Sequence, residues 1–200
     1  MKEEEIQKTQ PPGRTKILNA MRTLLESKDF SSIKIAELAQ TAGVTEPLIY
    51  KYFSDKRDII HILLQDYLET RFVAAINELS DINGSLHKLE HFIHSYINAY
   101  NEDRVIARVV LLEVSNSYDY YESQSYMILK KYGDLILTII REGIDEGVIR
   151  NDMDPLLLRN LLFGGMDRAC LHPIVFNKPI NVESLSRDIS RLIFDAITPG

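Results

Sequence analysis

Two hundred residues, 45% hydrophobic and 26% charged, form an ordinary globular composition with room for one large domain or two small ones. This excludes a disordered chain, a collagen-like chain and a disulfide scaffold, and no run reaches the roughly 18 uncharged apolar residues of a membrane span. The net charge of −6 is unevenly placed: residues 12–57 carry eight Lys/Arg against five Asp/Glu, residues 61–200 carry 13 against 20. A polyanion partner is therefore expected for the front alone.

Met1-Lys2-Glu3-Glu4-Glu5 is acidic with no apolar stretch behind it, so residues 1–11 are read as a flexible leader and not a signal peptide. With Cys170 as the single cysteine, a reducing and cytoplasmic setting is expected. After Pro11-Pro12, the residues Ile17, Leu18, Met21, Leu24 and Leu25 repeat with helical period. Only Ile33-Lys34-Ile35 alternates like a strand, and it is too short to form one. The longest pattern runs from Ile59 to Leu79, opens after Ser54-Asp55 as candidate caps, and stops before Asn83-Gly84. Further helices are expected over 85–100, 103–115, 125–146, 155–171 and 182–197, with a loop from Pro173 to Pro179. The fold class is all-α. A front unit over 12–58 joins a helical body over 59–200 through the long helix.

Residues 31–45 have the logic of a helix-turn-helix. Ile35, Leu38 and Ala39 make an apolar stripe, and Gly43 can take the left-handed conformation that ends the first helix. Val44 can plug the crevice between the helices, and Thr45 can cap the second. The second helix, Glu46 to Tyr52, has Pro47 in its first turn, where no backbone N–H is missed. Leu48 or Ile49, and then Phe53, can pack inward. This leaves Glu46, Pro47, Tyr50 and Lys51 outside, with Tyr52 intermediate.

Phe30, Ile35-Ala36-Glu37-Leu38-Ala39, Ala42-Gly43-Val44-Thr45 and Leu48 to Lys56 together resemble the DNA-binding domain of the TetR family. More loosely, Ile140 to Gly147 and Leu161 to Asp167 are similar to that family's closing helices. The resemblance implies a homodimeric repressor that binds a palindromic double-stranded operator and leaves it when a small hydrophobic effector enters the body. It implies phosphate contacts from Thr45 and Lys56, contacts to base edges or nearby phosphates from Glu46, Pro47 and Lys51, and phosphate or sugar contacts from Tyr50 and Tyr52. Two features depart from the family pattern. Lys34 replaces a frequent threonine and can pair with a phosphate, while Glu46-Pro47 replaces a frequent Lys-Gly. Glu46 either accepts from a cytosine amino group or stabilises the helix N-terminus.

In the body, ten tyrosines and no tryptophan are uneven usage. Tyrosines supply apolar cavity walls with an orienting hydroxyl, or they sit half-exposed on helix edges. The candidate ligand residues are Phe72, Phe92, Tyr96, Tyr100, Arg108, Tyr118, Tyr126 and Met166. His87, His91 and His94 share one helix face and are read as a partly exposed polar stripe, with ligand hydrogen bonding or a metal site as the alternatives, although no clear third ligand set accompanies them. Arg104 and Arg108 are read as solvent-facing salt-bridge partners or, where buried, as holding a carboxylate or an anionic ligand. Leu157, Leu158, Leu161, Leu162 and Met166, with Gly164-Gly165, and Leu185, Ile189, Leu192, Ile193 and Ala196 mark 155–171 and 182–197 as a dimer face or intrachain core. The resemblance favours the dimer. It also extends loosely to repressors of fatty-acid degradation that respond to long-chain acyl-CoA, with a hydrophobic drug as the alternative effector. With no Gly-rich phosphate loop, nucleophile elbow or acid–base pair, the expectation is no enzyme, cofactor or metal. A helical carrier of hydrophobic ligands without DNA binding remains the other function class.

Overall fold

The computed structural model describes residues 11–114 and 118–199. The expected leader therefore lies outside the described residues except for Pro11. Among the described residues the chain is helical, without strands. The α-helices are α1 (Pro12–Ser27), α2 (Ile35–Ala42), α3 (Glu46–Tyr52), α4 (Lys56–Ser80), α5 (Ser85–Glu102), α6 (Arg104–Arg108), α7 (Gln124–Asp145), α8 (Pro155–Val175) and α9 (Val182–Ile197). Phe30–Ser32 and Tyr118–Glu122 are 3-10 turns. The chain divides into two compact units between Leu64 and Gln65, inside α4 and six residues beyond the expected 58/59 boundary.

In the first unit, α1 turns Ile17, Leu18, Met21, Leu24 and Leu25 inward. They share a core with Leu38, Ile49, Phe53 and Ile59. Gly43 ends α2 at φ +63°, and a side chain there would meet nothing within 4 Å. Backbone conformation, not space, is what calls for glycine. Ile33 and Lys34 are extended, but Ile35 already opens α2, so the short alternation does not become a strand. At the start of α4, Asp55 Oδ1 accepts from the Asp58 amide at 2.8 Å and the Asp58 carboxylate accepts from the Ser54 amide at 2.9 Å. Two orphan donors are thereby satisfied reciprocally.

In the second unit, α5 is the central helix, with α7, α8 and α9 packed on it. Leu89, Phe92, Ile93, Ile97 and Tyr100 form its buried face. Two expectations are corrected here. The helix expected over 103–115 is five α-helical residues followed by a π-helical stretch, Val109–Val114, and its last residue lies outside the described residues. The loop expected from Pro173 begins later, because α8 continues through Pro173 to Val175. Proline is tolerated there because only one helical hydrogen bond is lost, two residues from the end.

Gly143 in α7 marks a close approach. A Cβ there would lie 2.5 Å from Ile149 Cδ1 and 2.7 Å from Ser85 Oγ. Ser85 is fully buried and its hydroxyl donates to Glu146 Oε2 at 2.7 Å, so it has no room to yield. Gly143→Ala is expected to lose about 1–2 kcal/mol, as overpacking outweighs the gain in helix propensity. Urea unfolding checks this, and an unchanged midpoint would mean that the turn after α7 gives way freely.

Candidate functional site

Thr45 occupies the N-cap position of α3 with its side chain exposed, yet makes no side-chain capping bond. The expected cap is therefore absent and its hydroxyl stays available to another acceptor. Beyond it, Glu46, Pro47, Tyr50 and Lys51 border one shallow, open surface, and all four are exposed. Ile49, at 1% exposure, points the other way. The heptapeptide thus separates cleanly into one anchoring residue and an outward face. Leu48 and Tyr52 are intermediate because they lean on the start of α1, where a Cβ on Gly13 would come within 3.3 Å of both. Lys34 is exposed at the N-cap position of α2.

Lys56 departs from the expected phosphate contact. Its ammonium donates to the carbonyls of Phe30 at 2.7 Å, Ile33 at 2.8 Å and Ser31 at 3.4 Å. It also sits 4.3 Å from the centroid of the Phe30 ring. The three protons of a lysine are consumed by the turn that precedes α2. The charge therefore staples the first unit internally.

The second unit encloses a cavity between α4, α5, α6 with the π-helical stretch, and α7. Phe92, Tyr96 and Tyr100, three of the ligand candidates, line it. Phe72 meets it only through an edge-on contact with the Tyr132 ring, 4.9 Å between centroids. Three other candidates and Arg108 do not line it. Tyr118 is 82% exposed, and Tyr126 packs edge-on against Tyr120 and Tyr121. Met166 is fully buried, because Leu158, Leu162, Met166, Cys170 and Ile174 form the inward stripe of α8. Sequence reading did not name Tyr67 and Tyr132 among the ligand candidates, nor the charged wall residues Arg71 and Glu78. It also missed Ala74, Ala75, Ser95 and Ala99. The available signal was Ala74-Ala75: small residues interrupting a large apolar stripe leave a hollow. The cavity volume is about 80 Å³, well short of the roughly 300–1,000 Å³ of drug-sized ligand sites.

Behind this wall lies a polar cluster. Asp167 Oδ1, on α8, accepts from the Tyr96 hydroxyl at 2.8 Å and the Tyr100 hydroxyl at 3.0 Å, and the hydroxyls are 2.9 Å apart. Burial pushes the Asp167 pKa up, against the two tyrosine bonds that lower it. Burial also raises both phenols and pushes the Cys170 thiol up to about 11.

The histidines do not converge. His91 pairs with Glu78 at 2.9 Å, His94 with Glu183 at 3.0 Å, and His87 Nδ1 lies 3.2 Å from the Asn83 carbonyl. The hydrogen bond from His91 holds the Glu78 carboxyl below its ordinary pKa. Arg104 reaches the Asn101 side chain at 3.2 Å and the Pro173 carbonyl at 3.4 Å, where a salt bridge was expected.

The family described as bacterial regulatory proteins, tetR family, matches residues 17–62. The C-terminal region of YsiA-like proteins in the same group of families matches residues 65–196. The chain belongs to the tetR family. It is a DNA-binding regulator and not an enzyme, with the helix-turn-helix formed by α2 and α3. The fatty acid metabolism regulator protein of Bacillus subtilis (strain 168) is 24% identical to this tetR-family chain over 190 residues, covering 95% of this chain and 98% of that protein. The fold matches the crystal structure of the regulator FadR from Bacillus subtilis in complex with stearoyl-CoA, with a TM-score of 0.80 at 23% identity, covering 90% of this chain and 97% of that one. It also matches the fatty acid degradation regulator FadR from Bacillus halodurans, with a TM-score of 0.81 at 20% identity, covering 93% and 96%. No helix among the described residues is long and apolar enough to cross a membrane.

Proposed function

We propose that this tetR-family regulator is a homodimeric repressor that binds a palindromic operator and is released by a long-chain acyl-CoA entering the cavity of the second unit. The observation that carries the DNA contact is the division of α3, with Ile49 buried beneath the exposed Glu46, Pro47, Tyr50 and Lys51. Lys51 supplies phosphate or base-edge charge, Tyr50 and Thr45 supply hydroxyl contacts, and Pro47 offers apolar contact to a thymine methyl. Lys34 adds a phosphate contact from the start of α2, and Tyr52 adds one at its exposed edge.

The acyl-CoA assignment rests on the likeness to the fatty acid regulators and on the mainly apolar lining of the cavity. At about 80 Å³ the cavity must widen to admit an acyl chain. Widening is the change by which a ligand favours the state unfit for DNA. The dimer assignment rests on α8, which is apolar on both sides. Its inward stripe is buried, while Leu157 is 56% and Leu161 59% exposed.

The test is fluorescence anisotropy on DNA from the gene's own upstream region at stated salt, followed by titration with palmitoyl-CoA. Nanomolar binding reversed by palmitoyl-CoA is the expected result. Lys51→Ala is expected to weaken binding about tenfold and to reduce the salt slope by about one, leaving palmitoyl-CoA affinity unchanged. Tight DNA binding indifferent to palmitoyl-CoA would discard the effector class. Loss of ligand affinity in Lys51→Ala would show that the substitution disturbs folding.

A further inference from the structure

We propose that Asp167 is the positioning residue that ties the ligand cavity to helix α8, so that an occupant displacing Tyr96 and Tyr100 moves the helix carrying the dimer face. This rests on the cavity and dimer readings above. Tyr96 and Tyr100 belong to α5 and present their rings to the cavity. Both hydroxyls converge on one oxygen of Asp167, which belongs to α8. Next along α8, the Phe163 ring packs against Phe92 and Tyr96, each 5.5 Å between centroids. One turn of α8 therefore meets the cavity wall twice, once by polar bonds and once by aromatic packing. The same turn carries Gly164 and Gly165 on its exposed side, next to Leu161.

The cavity is smaller than a long acyl chain, and the two phenol rings are part of what limits it. Their hydroxyls are buried and fully used, so the rings cannot swing aside while both bonds to Asp167 hold. Either the bonds break, leaving a buried carboxyl without its partners, or α8 follows the rings. Breaking costs the desolvation penalty of buried polar groups, whereas a small shift of a helix with an exposed outer face costs less. The coupling thus lies in the bonds themselves. Removing them should leave the cavity usable and the helix unmoved.

The experiment uses a built-in occupant, so it does not depend on the effector. Ala75→Phe places a ring in the cavity from α4. In the otherwise native chain it is expected to weaken operator binding at least tenfold. In Asp167→Leu, and in Tyr96→Phe with Tyr100→Phe, the same substitution is expected to weaken binding less than threefold. Asp167→Asn keeps an acceptor oxygen and should restore the tenfold effect. Palmitoyl-CoA should likewise bind the Asp167→Leu chain with native affinity, measured by calorimetry, yet fail to release its DNA. Equal weakening by Ala75→Phe in all backgrounds would overturn the proposal while leaving the effector cavity intact. No weakening in any background would overturn both this proposal and the cavity's link to DNA. Failure of palmitoyl-CoA alone, with the Ala75→Phe pattern as expected, would remove only the effector assignment.

Discussion

A chain carrying Leu161→Glu and Leu192→Glu is expected to elute as a folded monomer and to bind operator DNA at least ~100-fold more weakly than the native protein. Leu161 is 59% and Leu192 68% exposed, so neither substitution disturbs the core of the single chain. In a two-fold interface each would be lost twice. At roughly 1.5–3 kcal/mol per buried leucine, four lost side chains remove about 6–12 kcal/mol from the association, before the four introduced carboxylates are counted. Operator affinity falls because two half-sites are then bound independently, without the effective concentration that a dimer supplies. Light scattering at micromolar concentration with native far-ultraviolet circular dichroism checks the first half, and anisotropy checks the second. A dimer that survives both glutamates would move the subunit contact to another surface.

Lys56→Met is expected to cost about 2–3 kcal/mol of stability, because charged donors are worth roughly 1.5–3 kcal/mol and their loss leaves carbonyls under-satisfied. Methionine keeps the apolar stem, so the loss isolates the ammonium from its packing. In the first unit that ammonium closes the Phe30–Ser32 turn onto the start of α4. For a chain of this size the melting temperature should fall by about 5 °C or more. Lys51→Ala, on an exposed face, should leave the melting temperature unchanged. If Lys56→Met instead melted like the native chain and lost only DNA affinity, the phosphate contact implied by the family resemblance would hold after all.

The two units were unequally legible, for physical reasons. The helix-turn-helix is short and its positions are dictated by the backbone. Gly43 must adopt positive φ, Ile49 must point inward within a seven-residue helix, and the remaining positions are then outside by periodicity. The role of Lys56 was not legible, because its partners are carbonyls at Phe30, Ser31 and Ile33, and backbone acceptors carry no sequence signal. The cavity was only partly legible. Tyrosines at 118 and 126 look the same in sequence as those at 67 and 132, and packing alone decides which face the hollow. Alanines that make a void, such as Ala75 and Ala99, read as ordinary helix formers. Asp167 fell inside a recognised stretch, but nothing local shows that two tyrosines some 70 residues earlier converge on it.

The buried thiol has a practical meaning. Cys170 is the chain's only cysteine, it is 0% exposed, and its raised pKa keeps it in the unreactive thiol form at neutral pH. Maleimide and spin-label reagents therefore find no native target in the folded protein. A cysteine introduced at an exposed site such as Tyr50 would be the single labelled position in each chain. In the proposed dimer, two such labels would report the distance between subunits by pulsed dipolar spectroscopy, with the native sulfur left in place.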